Sequence, residues 1–452
     1  MIRRLLVLSI LFGFFTTYPV WGINEQVIYP GVSVKEIPLG DKGSEEVYQL
    51  LAEENRKIGD NKLFLHLPDG VTVTEVTFQA MGIEVDRNRI WQEAYAQGRS
   101  GSWLEKLKAK WQLWRKGVEL PLYVKLNKEI AAQVLEEAGQ AWYVAPQDAR
   151  FKITARDEVL LVSEEEGQKI ATELALLSLE EQIWGAESIS LSLSLEIIKP
   201  AKTRQDLEEY GVSGLLSKFS TSFNAAKVKR VKNIRLASEK LDYFLLLPGE
   251  VFSFNEAVGP RTKERGYDEA DIIQNYSFVP GVGGGICQVS STLYNAILLA
   301  DLEIVERVPH SMVISYVKPG LDATIVYGSR DFRFKNNTDK YLLIKMTVTS
   351  GMITCKIFGK AEKGKKVVLK TFLERQIKPA TIYKKDPLVP QGGYILERKG
   401  VQGCVIRVER HVYAGDGKLT KKEVISKDFY PPVDRVIRSS SDPQSLSLSE
   451  VL

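Results

Sequence analysis

The residues best suited to chemistry lie between positions 280 and 300. Gly281, Gly283, Gly284 and Gly285 lead directly into Cys287, and Val289, Leu293, Ala296, Ile297 and Ala300 follow at helical spacing. The pattern predicts a flexible loop feeding a buried helix, with Cys287 in its first turn. There the unpaired N–H groups and the positive end of the helix dipole favour a thiolate, the form of cysteine that attacks carbonyls. Peptide N–H groups over 285–288, together with the Gln288 amide, could hold the oxyanion such an attack creates. The same letters also describe an inert core thiol beside a tight turn.

A thiol of this kind needs a base, and the chain offers only His66, His310 and His411. His66 reads as an edge-strand residue. His310 precedes a strand-like stretch, 312–317, a Lys318-Pro319-Gly320-Leu321 turn and a returning stretch, 322–327, which together predict a β-hairpin. Pairing Lys318 with Leu321 sets Val317 opposite Asp322 and His310 opposite Ser329. Asp322 would then stand about 24 Å along the ladder from His310 at ~3.4 Å per residue, on the other face. Asp331 would be a diagonal neighbour within about 7–8 Å. The expected trio is therefore Cys287 as nucleophile, His310 as base and later acid to the leaving amine, and Asp331 fixing the imidazole tautomer. Asp322 is expected to cap or pin the turn. A histidine satisfied by its neighbours is the plainer alternative for His310. Arg261, Arg265 and Arg307 could bind a carboxylate or phosphate, or serve as structural ion pairs. With three scattered histidines and three cysteines, no metal-ligand spacing arises, and no metal or cofactor is expected.

The elements that would carry this site form a chain of 452 residues, long enough for about three or four domains. Its 44% hydrophobic and 26% charged residues are globular in composition, and a net charge of +4 suits an anionic wall or membrane surface. No basic stripe interleaved with aromatics is present, so nucleic acid is not expected as a partner. Arg3 and Arg4, the apolar stretch 5–15 and Val20-Trp21-Gly22 read as an export signal or N-terminal anchor, which makes the chain extracytoplasmic, with membrane contact only through that segment. Cys287, Cys355 and Cys404 are too few for a disulfide framework, and the last two read as strand packing residues.

Residues 23–70 read as a small α/β unit and 71–198 as an α+β stretch. Within the latter, helices are expected over 89–98, 102–115, 127–137 and 164–177, with a strand pair over 146–162. Trp91, Trp103, Trp111 and Trp114 could stack on sugar rings or form the apolar face of a helix pair. Ser188 to Leu195 alternates as a one-sided strand, and 199–214 reads as a linker.

Three resemblances follow from quoted motifs. Phe219-Ser220-Thr221, Leu247-Pro248-Gly249-Glu250-Val251-Phe252-Ser253-Phe254-Asn255, Arg261-Thr262, Gly266-Tyr267, the stretch 283–295, Val305-Glu306-Arg307, His310-Ser311 and Asp322-Ala323 resemble the VanW family, associated by name with vancomycin resistance, over 215–360. Pro146-Gln147-Asp148-Ala149-Arg150-Phe151 and 162–170 resemble the peptidoglycan-binding domain that precedes VanW domains in many Gram-positive envelope proteins. Gly400-Val401-Gln402-Gly403, within β-rich 367–438, resembles the small G5 domain, linked with glycan binding. A serine-rich tail, 439–452, is expected to be disordered. The resemblances imply a multidomain α+β protein: mixed α/β N-terminal modules, a central α+β VanW domain with a glycine loop, helix and β-hairpin, and a small all-β C-terminal domain. They also imply a secreted or membrane-anchored cell-envelope protein that binds or helps remodel peptidoglycan. The residues themselves, and not the resemblances, suggest Arg261, Arg307, Asp322, Trp103 and Trp111 as candidate ligand contacts. In order, Cys287, His310 and Asp331 also resemble transglutaminase-like and papain-like thiol enzymes, which implies action on stem-peptide amides.

Overall fold

A computed structural model describes residues 26–274, 277–391 and 393–440, so the expected leader, 1–22, and the expected tail beyond Ser440 lie outside the described residues. The chain divides into two units, Met1–Gln147 with Glu166–Pro200, and Asp148–Glu165 with Ala201–Leu452.

The first unit holds two apolar cores. In one, strand Val32–Val34 pairs parallel with Val118–Leu120 and antiparallel with Ile37–Pro38, and helices Ser44–Gly59 and Arg87–Ala96 bury Val47, Leu51 and Ile90 against it. In the other, Lys62–His66 lies between Ser188–Ser192 and Val73–Thr77. His66 is thus on a central strand and not an edge. Ser188–Ser192 buries Ile189 and Leu191 and exposes its serines, as period-two alternation requires. The helix expected over 164–177 is divided: Gly167–Ile170 pairs with Leu195–Ile198, and the helix runs from Thr172 to Gln182. Trp103–Lys116, here termed the tryptophan helix, begins at a Ser102 cap reciprocated by Glu105. Its tryptophans are exposed, which removes the expected helix-pair packing.

In the second unit, strands Arg150–Ile153 and Val159–Val162 form the expected pair. They bury Phe151 with Leu207, Leu343 and Phe358, which is why 148–165 joins this unit and not the one before it. The stretch expected as a linker contains helix Arg204–Tyr210, held by buried Leu207 and capped by Thr203. Four strands, Gly214–Ser222, Met352–Gly359, Leu342–Thr349 and Phe244–Leu246, form the central sheet. Against it pack helix Val228–Glu239 and the cysteine helix, Ile286–Leu299, which is buried on almost every side. Hairpin Glu269–Gln274 with Ser277–Val282 delivers the chain to that helix. Beyond it, Lys366–Ile377, Gly403–Tyr413 and Leu419–Tyr430 form one C-terminal sheet, and Thr381–Lys385, Arg435–Ser439 and Tyr394–Arg398 another. Ser439, expected to open the tail, is the buried end of a strand. One core runs through central and C-terminal strands alike: Leu293, Phe332 and Ile357 share it with Ile406, Val408 and Tyr430.

Candidate active site

Backbone constraints fix the start of the cysteine helix. Gly285, its N-cap, has φ +111, which side-chain-bearing residues rarely adopt, and a Cβ on Gly284 would stand 2.6 Å from the Ala270 carbonyl. Cys287 follows in the first turn and is half-buried, with Sγ 3.7 Å from the Ile325 carbonyl oxygen. Ile286 and Gln288 donate their N–H groups to Gly283 and Gly285, whereas the Cys287 N–H has no partner among the described residues. That leaves a free N–H donor at Cys287 itself, a position able to hold an anion formed next to the sulfur.

The Gln288 side chain cannot share that work. It is buried, its Nε2 donates to Thr221 Oγ1 (3.1 Å) and the Ser222 carbonyl (2.8 Å), and its Oε1 accepts from Arg230 Nη2 (2.9 Å). Both N–H donors of its amide, the groups an oxyanion would need, are already committed to the neighbouring strand.

The expected hairpin over 312–327 does not form. Leu321 N does donate to the Lys318 carbonyl, closing the turn, but Thr324 N donates to the Val308 carbonyl, so the returning segment runs beside 307–310 instead of 312–317. Side chains of the cysteine helix take the place of a ladder. Ser290 Oγ donates to the Ala323 carbonyl (2.7 Å), Ser291 Oγ accepts from Ala323 N (3.0 Å), and Asn295 Nδ2 donates to the Leu321 carbonyl (2.6 Å). These polar residues are buried on an otherwise apolar helix because they satisfy the backbone of 321–323.

That route changes which acid meets His310. Asp322 is fully buried, and its Oδ2 lies 2.6 Å from His310 Nδ1 and accepts from the His310 N–H at 2.6 Å. Its Oδ1 accepts from Arg307 Nη2 (3.0 Å) and from the Tyr430 hydroxyl. Asp331, the acid the hairpin register selects, is elsewhere. It accepts from Ser253 Oγ, Asn255 N and Phe332 N, and so tethers the entry to helix Phe254–Val258. The register fails because it presupposes a ladder that the serines and asparagine of the cysteine helix replace. Asp322 accordingly clamps the imidazole and does not cap the turn. His310 sits on an irregular segment after strand Glu303–Glu306 and not within a strand.

With Nδ1 held by Asp322, Nε2 is the ring nitrogen left for the thiol. Burial pushes His310 toward the neutral form, yet its bonds to Asp322 and Cys287 and the charges of both outweigh burial and bring its pKa up to about 9. Burial likewise pushes the Cys287 thiol up, and the His310 hydrogen bond and charge, the Ile325 backbone and the Arg261 charge pull it below its ordinary value. Asp322 is held below the usual carboxylate range, its burial offset first by the His310 bond and then by the Arg307 charge. The three groups thus shift together: each one's charged form is favoured by the charge of its neighbour. The Tyr316 ring stands edge-on to the imidazole at 6.4 Å.

Of the arginines, Arg307 is buried and spends itself on Asp322 and on Asp428 (2.6 Å), so it is a structural ion pair and not a ligand contact. Arg261 differs. Nη1 donates to Asn255 Oδ1 (2.7 Å), whereas Nε and Nη2, both buried, have no hydrogen-bond partner among the described residues, and the guanidinium lies 5.6 Å from the Phe254 ring centroid and 5.7 Å from that of Tyr327, close enough for Cys287 to feel its charge. Trp103 and Trp111 belong to the first unit. Sequence reading missed Tyr430, Asp428 and the Ser290-Ser291-Asn295 set. Serines and an asparagine inside an apolar helix were the available signal for the last of these.

Comparison with known proteins places these features in named domains. Residues 229–358, which include Cys287, His310 and Asp322, match the family described as VanW like protein, 74–189 match the one described as "Putative peptidoglycan binding domain", and 370–439 match the G5 domain. The chain is 43% identical over 144 residues to "Uncharacterized protein YoaR" of Bacillus subtilis (strain 168), a match covering 32% of this chain and 48% of that protein. It is 32% identical over 136 residues to "Vancomycin B-type resistance protein VanW" of Enterococcus faecalis (strain ATCC 700802 / V583), covering 29% and 49%. The matches thus span about half the length of these curated relatives. Among solved structures, "Crystal structure of HP0197-G5" shares 19% identity with a TM-score of 0.12, covering 17% of this chain and 96% of that one. The chain therefore carries a VanW domain between a peptidoglycan-binding-type domain and a G5 domain, a set that supports a cell-wall-associated protein.

Proposed function

We propose that the VanW domain is a thiol enzyme that cleaves or transfers amides of peptidoglycan stem peptides, using Cys287, His310 and Asp322. The observation that carries this reading is His310 fixed through Nδ1 by buried Asp322 next to a half-buried thiol of lowered pKa. The Cys287 thiolate adds to the amide carbonyl, and the resulting oxyanion takes the free Cys287 N–H. As the C–N bond breaks, imidazolium His310 gives its proton to the leaving amine and a thioester remains. Water, deprotonated by His310, then attacks the thioester and releases the acid and the thiolate. An amine in place of water gives transfer. Asp322 stays ionised and keeps the ring in register. The Arg261 guanidinium, whose charge Cys287 feels, favours a substrate with a carboxylate near the scissile amide.

Wall substrate is the choice because the flanking matches are to peptidoglycan-binding and G5 domains, which supports glycan contact on both sides of the catalytic domain. Such contact is independent of the thiol, so wall binding should survive Cys287→Ala. Likeness to the vancomycin B-type resistance protein extends the reading to an accessory role in glycopeptide resistance, checked by drug susceptibility of strains carrying the wild-type chain or Cys287→Ala. The enzyme reading is tested by incubating the protein with digested peptidoglycan and analysing it by mass spectrometry. Cleaved or transferred stem peptides should form with wild type and vanish with Cys287→Ala. Equal products from both proteins, or none from either, would leave only a wall-binding scaffold.

A further inference from the structure

The tryptophan helix holds to its own unit by one side. Leu113 is its buried residue, Ala109 and Lys110 are half-buried, and Gly31 passes so close that a Cβ there would stand 2.1 Å from the Leu113 carbonyl oxygen. Lys110 Nζ lies 4.5 Å from the Tyr29 ring centroid. The helix therefore rests against residues 29–31, near the first described residue and close in sequence to the apolar stretch 5–15.

Its other side is unlike an ordinary solvated surface. Trp103, Leu104, Leu107, Trp111 and Trp114 are 69%, 60%, 56%, 54% and 75% exposed. At 100° per residue these five fall within an arc of about 100°, whose midpoint lies about 130° round the helix from Leu113. Lys106 and Lys110 border one edge of the arc, and Lys108 and Arg115 the other. With Lys116 the helix has five cations against one carboxylate, Glu105, which is engaged by the Ser102 N–H at 2.6 Å. Among the described residues none of the five cations enters a salt bridge, and Arg115 lies over the Trp111 ring at 5.2 Å.

An uncovered apolar arc bordered on both edges by uncompensated cations matches a helix lying in the plane of a lipid interface. Tryptophan rings settle at headgroup depth, leucines reach below it, and lysines and arginine meet the phosphates. Sugar stacking would use the rings but neither Leu104 and Leu107 nor the cations. A second copy would bring like charge against like. The helix is also too short and too charged to span a bilayer. We infer that the tryptophan helix docks the protein onto an anionic phospholipid surface. This inference stands apart from the thiol chemistry.

The test uses the full chain with vesicles of phosphatidylcholine containing phosphatidylglycerol, some with brominated acyl chains. Wild-type tryptophan emission should shift blue and be quenched by bromine. The variant Trp103→Ala/Trp111→Ala/Trp114→Ala should lose that quenched component and bind the vesicles at least about tenfold more weakly. A second variant, Lys106→Glu/Lys108→Glu/Lys110→Glu, keeps the rings and should lose the preference for phosphatidylglycerol over pure phosphatidylcholine, again by about tenfold or more. Circular dichroism checks both folds, and the charge variant decides if the other does not fold. The inference is overturned by wild-type emission indifferent to brominated lipid, or by quenching that is no weaker without the three tryptophans. It also falls if the triple variant loses sacculus binding or self-association in light scattering while vesicle binding is unchanged.

Discussion

Cys287 and Cys355 share one unit and experience opposite chemistry. Cys355 sits mid-ladder in Met352–Gly359 between Phe219 and Met346, fully buried, and burial alone pushes its thiol far up. Cys287 sits where a glycine loop becomes a helix, and burial pushes it up too, but an imidazole and a guanidinium bring it down. Burial is common to both, so the neighbours decide which sulfur can react. A regular ladder supplies no such neighbours because its polar groups pair with one another. The irregular segment 307–325 leaves a histidine, an aspartate and a thiol to meet.

The contrast breaks most visibly under alkylation. Iodoacetamide at pH 7 should label Cys287 in the folded protein at least about a hundredfold faster than Cys355 or Cys404, with the latter two reacting only in urea. Peptide mass spectrometry reads all three sites, and Cys287→Ala should erase the fast phase. Next in size is the choice of acid. Asp322→Asn breaks a buried charged cluster and should cost about 3 kcal/mol in urea unfolding while slowing alkylation. Asp331→Asn removes only the tether on helix Phe254–Val258, so about 1 kcal/mol should be lost and alkylation kept.

Stability should also track His310. Its folded pKa is raised from 6.5 to about 9, so its contribution is present in full below pH 6.5 and is lost as pH rises through 9. Urea midpoints at pH 6.5 and 10 should differ by on the order of 1 kcal/mol or more from this group, and His310→Gln should shrink that difference. Smallest is Tyr430→Phe. It removes the hydroxyl that donates to Asp322 and accepts from Gly320 N at 2.7 Å, and should cost about 1 kcal/mol with a modest change in alkylation.

These effects separate what the sequence carried from what it did not. Local signals were sound: glycines, which reach positive φ freely, beside an apolar 3.6-residue pattern placed Cys287 at a helix start, and Ser188–Ser192 alternated as its burial does. The partner acid was illegible because it depends on contacts that no period reports. Residues 312–327 have strand-like letters and a Pro-Gly turn, but Gly320 packs against Ile406 and Val408, and Tyr430 and Asp428 reach Asp322 and Arg307 from more than a hundred positions away. Side-chain bonds from Ser290, Ser291 and Asn295 then replace the ladder on which the register rested. The C-terminal sheet consequently reads as a separate β module in sequence, yet it completes the candidate site.

The central claim is that His310 lowers the pKa of the Cys287 thiol. The direct measurement is the Cys287 alkylation rate from pH 5 to 10 in wild type and in His310→Ala, read at that peptide by mass spectrometry. Wild type should show thiolate reactivity setting in below the ordinary cysteine range, with a second change near pH 9 as the imidazolium loses its proton, and His310→Ala should move the onset upward by at least about one pH unit. One rise near pH 9, identical in both proteins, would contradict it.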